Sequence, residues 1–397
     1  MLRKPIWNTA VQVFGKILMI LISLVTTAVL TRRLGSDVYG AFVLTTSVFL
    51  LLDALADFGS RAIGVREASK YPDKKEEIFE ELAGLRLLMA NVGFAIGLVI
   101  IFSFKGFEGI KIEALISLLM IFFTSVAGTL EMIFQTKMRL DLKTIMDVSF
   151  PLLFLIIILL FRFNLTLIWV MIFYLLARIL SLMVGQKLIK WQMRFKISKV
   201  VFWLKELWPM GLYLIIFTSY DRAVDSMMIS HFLGLKEVAW YGLSYKIYNS
   251  LVQPAYFFVA SIFPLLSASL ERKKLFFRSL IFILGVLIIV SPVLSILAPW
   301  MIGVLGGNDF DPAVMVLRIL IFAMIFAYVN HLFGFTLIAK RGQKSILLVG
   351  IVCLFFNVLA NFVVIPRYGI VGAALVTVYT EMLGSLLLGF SLWRKEK

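Results

Sequence analysis

Residues 1–30 read MLRKPIWNTAVQVFGKILMILISLVTTAVL. The stretch opens on Arg3 and Lys4, as a secretory signal does, but its apolar run is too long for a cleaved core and carries no convincing small-residue cleavage site. A run of that length crosses about 30 Å of hydrocarbon as a helix. It is therefore read as a first transmembrane helix over 7–31. Eleven further apolar runs follow at 40–61, 81–104, 112–136, 143–161, 165–188, 206–230, 240–266, 275–301, 312–339, 344–365 and 369–393. The whole chain of 397 residues is 61% hydrophobic and 16% charged, where a soluble domain holds about 45–50% and 25%. Connections such as RRLGSDVYG and GGNDFDP are short and rich in turn formers, which leaves no room for a folded domain outside the membrane.

Basic residues set the orientation. The two termini and the even-numbered connections hold 26 Lys and Arg, the odd-numbered connections 7, and 6 lie within spans. That asymmetry places both termini in the cytoplasm of a multi-pass cell-membrane protein. The net charge of +16 is then topology and contact with anionic membrane lipid, and no nucleic-acid partner is expected. The single cysteine, Cys353, gives neither a disulfide nor a paired-cysteine metal site.

A repeat runs through the chain. Leu34, Gly35, Tyr39 and Gly40 end the first span and open the second; Leu233, Gly234, Tyr241 and Gly242 do the same for the seventh and eighth, about half a chain later. Six spans per half is an even number, so the halves form a parallel repeat about an axis normal to the membrane. The expected domains are an N-terminal lobe over 1–188, a basic amphipathic cytoplasmic linker over 189–205 lying on the membrane surface, and a C-terminal lobe over 206–397.

These residues carry a resemblance. RRLGSDVYG at 32–40, DFGSRAIGVREASK at 57–70, DSMMISHFLGLKEVAWYGLSYKI at 225–247, LGGNDFDPAVMVLRIL at 305–320, AKRGQK at 339–344 and NVLANFVVIPRYGIVGAALVT at 357–377 occur in an order that resembles the polysaccharide transporters, the O-antigen flippase-like family of the multidrug/oligosaccharidyl-lipid/polysaccharide (MOP) exporter superfamily. The resemblance implies an all-α polytopic membrane protein of about twelve transmembrane helices, in two six-helix lobes around a central cavity. It also implies a flippase that carries a polyprenyl-(di)phosphate-linked oligosaccharide to the outer leaflet by alternating access, with glycan-assembly enzymes as partners. No enzyme chemistry, cofactor or metal is expected, and the deep carboxylates leave coupling to H+ or Na+ open. The competing reading is an ion-coupled multidrug or small-molecule exporter of the same superfamily. Such an exporter calls for a cavity rich in acids and aromatic residues, whereas the first span here holds Lys16 and no acid.

An anionic headgroup crossing the bilayer needs a hydrated, positive cavity. Within the spans the candidates for it are Lys16, Arg222, Lys246 and Arg318. Snorkelling is the competing reading for Lys246 and Arg318, and the expected one for Arg86. Arg178 sits too deep to snorkel and is expected to pair with an acid of its own lobe. Candidates for ion coupling are Asp53, Asp57, Asp221 and Asp225, since intramembrane acids are rarely idle, with Glu381 a further deep carboxylate. The resemblance places Asp225 at an aspartate common before FLG. Two alternatives stand beside coupling: Asp57 pairs with Arg61 one turn on, and Asp225 pairs with Arg222 in a self-neutralising cluster. His231 and His331 are read as helix-end or interface residues, Asn357 and Asn361 as bonding between helices. Pro209 with Gly211, Pro254, Pro264, Pro292 and Pro299 mark spans seven to nine as the flexible ones.

Overall fold

The computed structural model describes residues 3–189, 191–192, 194–219, 223–268 and 272–395. Twelve α-helices account for nearly all of them: α1 Arg3–Asp57, α2 Ser60–Lys70, α3 Lys75–Ser103, α4 Lys111–Thr136, α5 Leu140–Leu160, α6 Leu167–Ile189, α7 Val200–Thr218, α8 Val224–Phe232, α9 Leu235–Ala268, α10 Arg272–Leu305, α11 Ala313–Ala339 and α12 Gln343–Arg394. Among the described residues there is no strand. Helices and spans are not one to one. α1 and α12 each hold two spans, joined at Gly35 (φ 74°, ψ 175°) and Gly369 (φ 61°, ψ −149°), while the expected seventh span is represented by α7 and α8 on either side of 220–222. A side chain at either glycine would be strained, because positive φ brings Cβ against the backbone.

The two copies of the repeat share local geometry. Gly234 also has positive φ, 128°, and Tyr39 and Tyr241 are each 3% exposed. Polarity is arranged inside out, as lipid demands. Ile281, Ile288 and Ile296 of α10 are bare, while Thr31, Ser125, Thr336 and Thr380 are buried. The threonine hydroxyls donate hydrogen bonds to carbonyls of their own helix, Thr31 to Thr27 O (2.9 Å), Thr336 to Leu332 O (2.7 Å) and Thr380 to Val376 O (2.8 Å).

The chain divides into two compact units, Met1–Ser219 and Tyr220–Lys397. The first therefore includes α7, which the expected division at 206 assigned to the second half. The reason is close packing on α1, α2 and α3. A Cβ added to Gly59, the left-handed residue between α1 and α2 (φ 79°), would lie 2.7 Å from Met210 Cβ, and one added to Gly211 would lie 2.6 Å from the Phe58 ring. Gly211 is thus filled by a neighbour and is not an open hinge.

The linker, expected as an amphipathic segment on the membrane surface, is docked in part on α3. Residues 194–198 are not helical, and they lie across the acidic first turns of α3. Lys196 N–H donates to Glu80 O (3.0 Å) and its ammonium bonds Glu80 Oε2 (2.6 Å). Trp191 Nε1 donates to Glu76 (3.0 Å), Ser198 Oγ and Trp203 Nε1 to Glu81 (2.9 and 2.8 Å), and Lys199 bonds both Glu77 and Glu81 at 3.0 Å. Only glycine fits beneath, since a Cβ at Gly84 would stand 2.2 Å from Lys196 O. Two of the basic charges that suggested lipid contact, Lys196 and Lys199, pair with carboxylates of α3.

Candidate functional sites: one buried polar centre in each unit

In the first unit a chain of ion pairs runs through α1, α2, α3, α4 and α5. Arg86 of α3, 2% exposed, bonds Asp57 Oδ1 at the end of α1, Ser60 Oγ (2.7 Å) and Ser125 O (2.8 Å). Snorkelling is therefore corrected: Arg86 reaches inward, because a carboxylate, a hydroxyl and a carbonyl replace its hydration shell. A side chain at Gly128 would fill this guanidinium's space, as its Cβ would lie 2.2 Å from Arg86 Nη2. Asp57 also accepts from Arg61 Nε (3.0 Å), the pairing one turn on that spacing suggested. Arg61 Nη1 continues to Glu131 Oε2 (3.3 Å), which Lys143 approaches at 3.4 Å while bonding Asp147 Oδ2 at 2.5 Å.

Three further charges border this chain. Lys16 is exposed on α1, within electrostatic reach of Asp147. α1 and α5 touch at that level, where a Cβ at Gly15 would meet Thr144. Arg178 of α6 makes no ion pair with an acid among the described residues, contrary to the pairing expected of it; it lies 3.8 Å from the centre of the Phe150 ring, and its Nε is buried with no hydrogen-bond partner among the described residues. Asp53 lies in the field of Arg61, and its Oδ1 is likewise buried and unpartnered among the described residues. Alternating signs across several helices cancel most of the charge, so this centre cements the unit.

The centre in the second unit is built differently. Asp225 of α8 is 1% exposed. Tyr241 Oη of α9 donates to its Oδ2 (2.5 Å) and Asn361 Nδ2 of α12 to its Oδ1 (2.8 Å). Tyr241 Oη also meets Thr377 Oγ1 at 3.0 Å, and Asn361 Nδ2 lies 3.2 Å from Asn357 Oδ1. Asn361 thus bonds between helices as expected, whereas the bond to Asn357 stays within α12. Spending both contacts through its amide nitrogen leaves Asn361 Oδ1 buried without a partner among the described residues. The centre is a deep carboxylate held by a phenol and an amide, and a carboxylate so placed can take up a proton.

The other candidates fall outside these centres. Lys246 is partly buried on α9. Arg318 is exposed on α11, and its Nε donates to Ser295 O (3.2 Å) of α10. That carbonyl has lost its helical partner because residue 299, four positions on, is a proline. Asp221 and Arg222 lie outside the described residues. Glu381 accepts from Asn330 Nδ2 (2.7 Å), and His331 stands edge-on to Tyr256. Sequence reasoning missed Glu131, Lys143, Asp147, Tyr241 and Thr377 as members of these centres. The available signals were the four-residue spacing of Lys143 and Asp147, an unexplained acid in the fourth span, and the repeat tyrosine.

A sequence profile described as "Polysaccharide biosynthesis protein" matches residues 2–270. The chain belongs to that family. An uncharacterized membrane protein of Methanocaldococcus jannaschii, MJ1068, is 29% identical over 203 residues, a match covering 47% of this chain and 39% of the relative. Among solved structures, the lipid II flippase MurJ in an inward closed conformation superposes with a TM-score of 0.77 at 15% identity, covering 98% of this chain and 87% of that one. An inward-facing multidrug resistance MATE transporter of the MOP superfamily gives 0.76 at 12% identity, covering 95% and 94%. At such identities the likeness is one of fold. Nine helical stretches among the described residues are long and apolar enough to cross a membrane. This member of the polysaccharide biosynthesis family is a multi-pass membrane protein with the fold of MOP transporters.

Proposed function

We propose that this protein is a flippase that moves a polyprenyl-(di)phosphate-linked oligosaccharide from the cytoplasmic to the outer leaflet by alternating access, for assembly of a cell-surface glycan. The observation that carries the reading is the polysaccharide biosynthesis profile over 2–270, on a chain whose fold is also that of a lipid II flippase. The polyprenol stays in hydrocarbon while the charged headgroup passes through a hydrated path, for which Lys16, Arg222, Lys246 and Arg318 are the proposed contacts. In this reading both termini face the cytoplasm, membrane lipids and glycan-assembly enzymes are the partners, and no covalent chemistry is required. Asp225 is the proposed coupling group for a sodium ion or a proton, with Tyr241 and Asn361 against its two oxygens. Asp53, Asp57 and Asp221 were the other candidates. Asp57 is the weaker of them, because Arg86 and Arg61 already neutralise it. The likeness to a multidrug MATE transporter supports a second reading, an ion-coupled small-molecule exporter.

Depletion separates the two. Cells that lose the protein should accumulate a lipid-linked oligosaccharide on the cytoplasmic leaflet, read by mass spectrometry of extracted lipids. Accumulation of none, with increased sensitivity to cationic drugs, would favour the exporter.

A further inference from the structure

Positive charge is scarce in the connections expected to face outward, yet two of those charges share one ring. Arg33 lies two residues before the break at Gly35 in α1, and Arg162 lies between α5 and α6. Their Cζ atoms stand 5.7 and 4.8 Å from the centre of one ring, that of Phe163. Both arginines are exposed, and neither has a hydrogen-bond or ion-pair partner among the described residues. Elsewhere on the expected outer side a ring holds one cation, as with Lys111 over Phe102 and Lys236 over Trp240.

Beside that one ring, each guanidinium keeps a planar fork of N–H donors turned to no protein acceptor. An anion that accepts from both forks satisfies the donors together, and phosphate oxygens suit guanidinium forks. The surroundings are apolar. Phe163 is 73% exposed, Leu160 and Phe161 at the end of α5 are also bare, and Phe161 packs on Phe173, which stacks on Trp169. Aromatic residues at a span end mark the level of lipid headgroups. We propose that Arg33, Arg162 and Phe163 form a binding site for the phosphate of an anionic membrane lipid, with the acyl chains against Leu160 and Phe161. The site is independent of which molecule the protein transports, so it stands or falls apart from the flippase reading.

The test uses the purified full-length protein, stripped of lipid and offered equal amounts of phosphatidylglycerol and phosphatidylcholine. Native mass spectrometry should find phosphatidylglycerol retained several-fold over phosphatidylcholine, and phosphatidylglycerol should raise the melting temperature. Arg33→Gln with Arg162→Gln should abolish both preferences while melting like the parent in phosphatidylcholine alone, and the double lysine variant should keep part of the retention. Should the double glutamine variant melt early, the single variants are compared instead, and each should lose part of the preference. Equal retention by parent and glutamine variants would overturn the proposal. So would stabilisation by inorganic phosphate through the same two arginines as large as that by the lipid.

Discussion

Two buried aspartates in this molecule look alike in sequence and differ in what surrounds them. Asp57 accepts from two guanidiniums, Arg86 and Arg61. Asp225 accepts from an amide and a phenol, Asn361 and Tyr241. Removing one member of a buried ion pair costs about 3–5 kcal/mol, because the survivor is left charged and dry. Asp57→Asn should therefore lower the melting temperature of the detergent-solubilised protein sharply, and adding Arg86→Gln should recover part of the loss. Asp225→Asn should stay folded, since neutral donors can re-pair with an amide, and should lose the dependence of transport on an imposed sodium or proton gradient in proteoliposomes. Equal melting losses for the two single variants would make Asp225 a structural group.

At the scale of elements, the linker is the piece whose behaviour can be tested most directly. Glu81 accepts from Ser198, Lys199 and Trp203 at once. Glu81→Ala should release 191–203 and speed tryptic cleavage at Arg194, Lys196 and Lys199 by about tenfold, the factor that 1.4 kcal/mol of docking energy represents, as read by fragment masses. An unchanged cleavage rate would mean that packing alone holds the linker. Bonding to Glu80 raises the Lys196 ammonium above its ordinary range, and bonding to Glu77 and Glu81 does the same for Lys199. A raised folded value gives a contribution that is whole below about pH 10.4 and lost as pH climbs through the folded values. Wild-type protection should accordingly hold from pH 7 to 9. The helices themselves were legible because span length and apolar content are local, and Gly35 and Gly234 announced their turns. The ion-pair chain was not, because Arg61 and Glu131 stand 70 residues apart and only packing brings them together. The docking of Lys196 and Lys199 was not legible either, because a basic residue looks the same whether lipid phosphates or the carboxylates of α3 receive it.

Sidedness belongs to the whole molecule. Within the first unit, Arg33 and Arg162 share a ring, so the connections after spans one and five lie on one side; Lys196 meets Glu80, so those after spans two and six lie together. Charge counting assigns the second side to the cytoplasm. In a Cys353→Ser background, Asp73→Cys should resist an impermeant thiol reagent added outside sealed cells, whereas Asn308→Cys should react. Labelling at position 73 would sink the twelve-span topology. The first unit also closes on itself before the second begins. Trp203 and Glu81, 122 residues apart, are both synthesised ahead of Tyr220, as are Gly59 and Gly211. A ribosome that has released residue 219 has therefore delivered every residue of the first core, its strap included. Assembly can proceed vectorially, with a finished half waiting in the translocon's neighbourhood while the other half is still being made.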